Sequence, residues 1–159
     1  MSSEKRIILC IDDYEAGLSA RKILLEDEGY EVLTATDGRS GLQQFESQPV
    51  DVVILDYQMP EMNGDLVACR MKQLKPRVPI LLLSAYRSLP EEKLKFFDAF
   101  VAKDEPARVL TAAIRELLSH ASASGGWMEN WPAPLITLKG QSQPVRQGFV
   151  QEQGCHDGK

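Results

Sequence analysis

The chain predicts a doubly wound α/β domain, and three observations carry that prediction. Short apolar runs rich in Ile, Val and Leu alternate with helical patterns up to about Leu118. The runs are apolar at every position, which marks strands buried on both faces of a parallel sheet. Each of four runs also leads into a residue that can do chemistry. Ile7–Ile11 runs into Asp12-Asp13, Val52–Leu55 into Asp56, Ile80–Leu83 into Ser84, and Ala99–Ala102 into Lys103.

The first strand, β1, is expected over 6–11, followed by α1 over 14–28. Ala16, Ala20, Ile23 and Leu24 form the apolar stripe read for α1, and Gly29 closes it. Next come β2 over 31–35, α2 over 38–48 and β3 over 51–56. Gly64 relaxes the backbone after the Pro60 turn and opens α3 over 64–74; β4 occupies 79–84. Helix α4, over 90–97, should be brief, because Ser88-Leu89-Pro90 precedes it and Asp98 ends it. After β5 at 99–102, α5 over 106–119 begins on Pro106, a favourable first-turn residue. Asp104 and Glu105 sit at its positive end, and Val109, Leu110, Ala113, Ile114 and Leu117 make its inward stripe. Five such units in this order suit a flavodoxin-like sheet of order 2-1-3-4-5 with five helices, spanning residues 5–120.

Composition narrows the function. The 159 residues hold 43% apolar side chains, enough for one domain with a core and an appendage. The apolar runs are too short to span a membrane, and Met1–Arg6 leads to Asp12 before any signal-peptide core, so a cytoplasmic protein is expected. Net charge is −5 with scattered Lys and Arg, which argues against a nucleic-acid partner. Cys10, Cys69 and Cys155 are far apart with no CxxC or Cys/His cluster, so reduced thiols and no zinc are expected. Residues 121–159 are Gly/Pro/Gln-rich, open on the linker-like Ala121–Gly126, and have no sustained period. A disordered tail is the expectation there, with Trp127 and Trp131 as the residues of a possible docking peptide.

In a parallel α/β sheet, ligands bind at the carboxyl ends of the strands. Three carboxylates, a hydroxyl and an ammonium therefore converge on one edge, a set suited to a divalent cation beside a phosphoryl group. Asp12 and Asp13 offer the hard oxygens that Mg²⁺ takes alongside waters and phosphate oxygens. The string Asp56-Tyr57-Gln58-Met59-Pro60-Glu61-Met62-Asn63-Gly64 follows β3, and Ser84-Ala85 follows β4.

With these residues in register, the chain resembles a response-regulator receiver domain of two-component signalling over residues 5–119. The resemblance implies that Asp56 is the phosphoacceptor and that Asp13 and Asp56 bind Mg²⁺ directly. It implies that Asp12 acts largely through water and that the Gln58 backbone carbonyl is a further ligand. Lys103 would pair with Asp56 before transfer and with a phosphoryl oxygen afterwards, Ser84 would donate its hydroxyl, and Ala85 would leave the approach open. Phe100, three residues before Lys103, matches the family's switch aromatic. The implied donor is a sensor histidine kinase or phosphotransfer protein, and the implied output is a downstream protein bound through the α4-β5-α5 face.

Two features depart from the family pattern. Asp104, not Pro, follows Lys103, so the Lys103–Asp104 bond is either trans or cis at about 3–4 kcal/mol. The stretch from Ser84 to Lys103 is also about one helical turn short, which bears on partner geometry. A single-domain regulator or phosphorelay intermediate is the expectation, since residues 121–159 are too few and irregular for an output domain. The alternative is a degenerate receiver that binds partners without phosphorylation. An enzyme is not expected: an aspartyl phosphohydrolase of the haloacid-dehalogenase type needs an acid two residues after its nucleophile, and position 58 is Gln. A flavin phosphate would be repelled by Asp12-Asp13-Tyr14-Glu15.

Overall fold

A computed structural model describes residues 4–121. The expected tail, with Trp127 and Trp131, lies outside the described residues. The elements are β1 (Ile7–Ile11), α1 (Glu15–Asp27), β2 (Glu31–Ala35), α2 (Gly38–Ser47), β3 (Val52–Asp56), α3 (Gly64–Leu74), β4 (Ile80–Ser84), α4 (Glu91–Leu94), β5 (Ala99–Ala102) and α5 (Ala107–Ala121). Every strand pairing is parallel, and the order is β2-β1-β3-β4-β5, as the alternation predicts. Among the described residues no helix is long and apolar enough to cross a membrane.

The two-residue period of the strands splits the core into two layers. Leu9, Ile11, Val53, Leu55, Leu82 and Phe100 face α2, α3 and the α4 region, where Phe45, Val67, Met71 and Phe97 are buried. Ile8, Cys10, Val52, Ile54, Leu81 and Val101 face α1 and α5, against Leu18, Leu25, Leu110, Ile114 and Leu117. Each such side chain contributes roughly 1.5–3 kcal/mol on burial. Strands filled on both faces are thereby locked in register, and their carboxyl ends are held level. The site stands on that edge.

Two helices differ from expectation. On α1 the buried residues are Leu18 and Leu25, whereas Ala16 and Ala20 are exposed and Ile23 is 70% exposed. The inward face runs Leu18, Arg21, Leu25, and a reading that seeks only apolar stripes passes over a frame holding an arginine. Helix α4 is shorter than the expected 90–97 and ends at Leu94. There Phe97 N–H donates to the Leu94 carbonyl (2.9 Å) and Phe97 turns into the core. Asp98 then anchors the chain, accepting from Ile80 N–H (2.8 Å) and Lys72 Nζ (2.7 Å).

The described residues contain no cis peptide bond, so Lys103–Asp104 is trans. Cys10 is a free, buried thiol. Cys69, by contrast, is disulfide-bonded, which departs from the reduced thiols expected from the cysteine spacing.

Candidate functional site

Backbone pairing carried one residue past the strands sets the geometry of the site. Asp12 N–H donates to the Ala35 carbonyl (3.1 Å), extending β1–β2, and Lys103 N–H donates to the Ser84 carbonyl (2.9 Å), extending β4–β5. Asp56 is the last residue of β3, paired with Leu83, and Ser84 is the last of β4, paired with Ala102. Asp12, Asp56 and Ser84 are buried and Asp13 is exposed.

The predicted set meets in one place. Lys103 Nζ lies 2.9 Å from Asp12 Oδ2 and 3.3 Å from Asp56 Oδ1. One oxygen from each of Asp12, Asp13 and Asp56 lies within 4.8 Å of the others. An open cavity of about 500 Å³ is lined by Asp13, Asp56, Gln58, Ser84, Ala85 and Lys103, among others. Asp12 sits behind that cavity, its Oδ1 accepting Tyr14 N–H at 3.0 Å. Asp13 thus faces the open space while Asp12 faces the protein's own donors.

Charge crowding explains the proton affinities. Burial raises the Asp56 carboxyl above its ordinary value, the Asp12 and Asp13 charges push it further, and Lys103 only partly offsets them. Burial works the same way on Asp12, but the Lys103 ammonium, the Tyr14 N–H and the Arg21 guanidinium together bring it below the ordinary value. Asp56 is therefore a carboxylate held among like charges that one ammonium only partly offsets. That is the electrostatic fit expected of a site for a hard divalent ion, and three carboxylate oxygens within reach of one another supply the donors.

Ser84 Oγ accepts Tyr86 N–H at 3.1 Å, which leaves its O–H free to donate. Tyr86 Oη donates to Gln58 Oε1 at 2.9 Å, tying together two loops that line the cavity. Beyond the Met59-Pro60 lining the chain turns tightly: Met62 N–H donates to the Pro60 carbonyl at 2.7 Å, Glu61 has φ 66°, and Gly64 N–H donates to the Tyr57 carbonyl at 2.6 Å. Phe100 lies apart, buried on the α3–α4 face of the sheet.

Sequence reasoning missed Arg21. From α1 its Nη2 lies 2.5 Å from Asp12 Oδ2, with the side chain only 14% exposed. The signal available was its place between Leu18 and Leu25 on a helical face.

Comparison with known proteins places this arrangement. A family model described as response regulator receiver domain matches residues 8–115. A receiver domain protein (CheY-like) from Methanospirillum hungatei JF-1 superposes with a TM-score of 0.72 at 30% identity, over 77% of this chain and 100% of that one. The response regulator protein TrrA from Thermotoga maritima, solved in complex with Mg²⁺-BeF, gives 0.68 at 33% identity over 71% and 99%. TrrA has also been solved in complex with the histidine kinase ThkA. Among curated proteins, the alkaline phosphatase synthesis transcriptional regulatory protein PhoP of Bacillus subtilis (strain 168) is 30% identical over 128 residues, 77% of this chain. The chain spans 53% of the length of that regulator and 31% of the transcriptional regulatory protein GlrR of Escherichia coli (strain K12). With the family model covering most of the folded domain and the strand-end residues in place, the chain belongs to the response-regulator receiver family.

Proposed function

We propose that the chain is a phosphorylation-switched signalling module whose phosphoacceptor is Asp56. The observation that carries this is the placement of the Lys103 ammonium, 3.3 Å from Asp56 and 2.9 Å from Asp12 at the mouth of three converging carboxylates. In this reading an Asp56 oxygen attacks the phosphorus of a phosphohistidine on a sensor kinase or phosphotransfer protein. The O–P bond forms as the N–P bond breaks, and the imidazole leaves with the electron pair.

Asp13, Asp56 and the Gln58 backbone carbonyl would hold Mg²⁺, with Asp12 acting through water. When bound, the ion supplies the positive charge that lets an anionic carboxylate meet an anionic phosphoryl group. Lys103 then exchanges its pairing with Asp56 for a phosphoryl oxygen, and the Ser84 hydroxyl donates to another. Ala85 leaves the approach clear. The histidine-kinase donor is supported by the kinase complex of TrrA, and the metal by its Mg²⁺-BeF complex together with the acidic cluster of this chain. Response to phosphorylation would be read by a downstream protein on the α4-β5-α5 face, in the cytoplasm. Beyond self-phosphotransfer and autodephosphorylation, no enzymatic activity is proposed.

The test is incubation of the full chain with acetyl phosphate and Mg²⁺, followed by phosphate-affinity gel analysis. Labelling should disappear with EDTA and in Asp56→Ala. Labelled Asp56→Ala would move the acceptor elsewhere, and unlabelled wild type that still binds its partner would favour a phosphorylation-independent module.

A further inference from the structure

Asp12 is held by two cations. Arg21 Nη2 lies 2.5 Å from Asp12 Oδ2, and Lys103 Nζ contacts the same oxygen at 2.9 Å. The other oxygen, Oδ1, accepts the Tyr14 N–H at 3.0 Å. Both oxygens of a carboxylate that is 1% exposed are therefore engaged in charge-assisted hydrogen bonds. Oδ2, which both cations occupy, is taken up by the protein's own donors, and only Oδ1 keeps an open acceptor position.

The two cations differ in what they are free to do. Lys103 lines the cavity and reaches Asp56 as well as Asp12. Arg21 approaches from within α1, its side chain is 14% exposed, and its Nε is buried with no hydrogen-bond partner among the described residues. A buried donor left unmatched costs free energy, so the contact with Asp12 is what this side chain is placed for.

The helix is built to admit it. A helical side chain leans back toward the residue one turn earlier, and for Arg21 that residue is Gly17. A Cβ at Gly17 would lie 3.4 Å from both Nη1 and Nη2 of Arg21, and 3.0 Å from the Tyr14 ring. Any larger side chain at 17 would extend into the space the guanidinium crosses. Glycine within a helix costs roughly 1 kcal/mol relative to alanine, and here it clears that space.

We infer that Arg21 is a positioning residue, a resident cation that holds Asp12 back from direct metal ligation and lowers the affinity of the acidic site for Mg²⁺. The inference rests on reading Asp12, Asp13 and Asp56 as the Mg²⁺ site. Without a metal, Arg21 neutralises part of the carboxylate cluster. A divalent ion that enters must do so against a fixed positive charge.

The experiment is calorimetric titration of Mg²⁺ into the full chain at pH 7, paired with melting curves in EDTA and in saturating Mg²⁺. Arg21→Met should bind Mg²⁺ about tenfold more tightly, an order of magnitude set by removing one charge at short range. Its melting point should fall in EDTA and recover more than wild type on adding Mg²⁺. Arg21→Lys, which keeps the charge, should stay within about threefold of wild-type affinity by the same reasoning. If Arg21→Met does not fold, Gly17→Leu provides the reading: its side chain crowds the guanidinium, and affinity should rise several-fold. Unchanged or weaker Mg²⁺ binding in a folded variant, with the melting point lowered equally in both buffers, would reduce Arg21 to packing and overturn the inference. A wild-type chain that binds no Mg²⁺ would instead overturn the metal reading itself, and this inference with it.

Discussion

Gly64 lies so close to Asp56 that a Cβ at position 64 would come within 2.4 Å of the Asp56 carbonyl oxygen and 2.9 Å of the Tyr57 Cα. Those neighbours are backbone, so they cannot swing aside as a side-chain tip would. The Gly64 N–H to Tyr57 carbonyl bond, at 2.6 Å, is made across the same contact. Gly64→Ala should therefore push the β3–α3 turn away from the strand end and move Asp56 with it. A destabilisation of about 1–3 kcal/mol is expected, the usual range for forcing atoms into a packed site. With Asp56 as the proposed acceptor, labelling by acetyl phosphate should slow by more than the lowered stability accounts for, because a displaced carboxylate loses its alignment. Melting curves and labelling rates on the same sample check this. Wild-type rates in a folded Gly64→Ala chain would count against the contact as a positioning device.

Asp12 and Asp56 carry opposite pH signatures. The Asp12 carboxyl is held below its ordinary value, so its ionised form adds stability above the unfolded value, and that stability is lost as pH falls through the folded value. The Asp56 carboxyl is held above its ordinary value, so its charge costs stability at neutral pH, and the cost is relieved as pH falls through the raised value. In EDTA at pH 7, Asp56→Asn should melt higher than wild type by about 3–6 °C, the shift produced by roughly 1 kcal/mol in a domain of this size. That gain should shrink steadily toward pH 4. Asp12→Asn should melt lower than wild type at pH 7, because Arg21 and Lys103 lose a charged partner. A fall in the melting point of Asp56→Asn at pH 7 would mean that its pairing with Lys103 outweighs the crowding.

Asp98 should be a stability residue that leaves the site untouched. Its Oδ2 accepts both Lys72 Nζ at 2.7 Å and Ile80 N–H at 2.8 Å, and its side chain is 6% exposed against 17% for Lys72. Removing one partner of such a pair leaves the other as an uncompensated charge, at about 3–5 kcal/mol. Asp98→Ala should lower the melting point accordingly. Its Mg²⁺ affinity, measured below the melting transition, should remain that of wild type. A loss of Mg²⁺ binding in the folded variant would show that the start of β5 is coupled to the site.

The central strands were legible because nearly every position in them obeys a single rule, whereas the edge strand β2 carries Glu31 and Thr34. Ile7 through Ile11, Val52 through Leu55 and Ile80 through Leu83 are apolar at every position, and burial on both faces is what the sheet provides. The strand-end residues were legible for the same reason: a polar residue that ends an apolar run must sit at the sheet edge. Helix α1 was not, because its inward face includes Arg21 and two apolar frames compete. The frame with Ala16, Ala20 and Ile23 has more apolar residues, but Leu18 and Leu25 are the ones buried. The frame of Leu18 and Leu25 also brings Arg21 to Asp12, and a contact between a strand end and a helix leaves no periodic trace. The bond between Tyr86 and Gln58 escaped notice likewise, since it joins two loops 28 positions apart.

Phe100 should behave as a packing residue in the unphosphorylated state, with its coupling to the site carried through the sheet. Its ring is 8% exposed and sits in the layer that holds Leu82, Phe97 and Ala102. Phe100 pairs with Leu82 on β4, two residues before Ser84, so the ring and the hydroxyl share a strand neighbour. The resemblance assigns this position a switch aromatic that gains burial when Ser84 is drawn to the phosphoryl group. A ring already this buried has little area left to gain. Even full burial is worth only roughly 1.5–3 kcal/mol, against about 5.5 kcal/mol to move a switch from 1:99 to 99:1. The contacts of Ser84 and Lys103 with the phosphoryl group must then supply most of the drive. Phe100→Ala would open a cavity costing about 3–5 kcal/mol and would confound folding with signalling, so Phe100→Leu is the informative change. On adding beryllofluoride and Mg²⁺, amide shifts in Phe100→Leu should change at Ser84 and Lys103 as in wild type, while changes along α4 and the start of β5 should diminish. Undiminished propagation to α4 in Phe100→Leu would leave Phe100 as core packing alone.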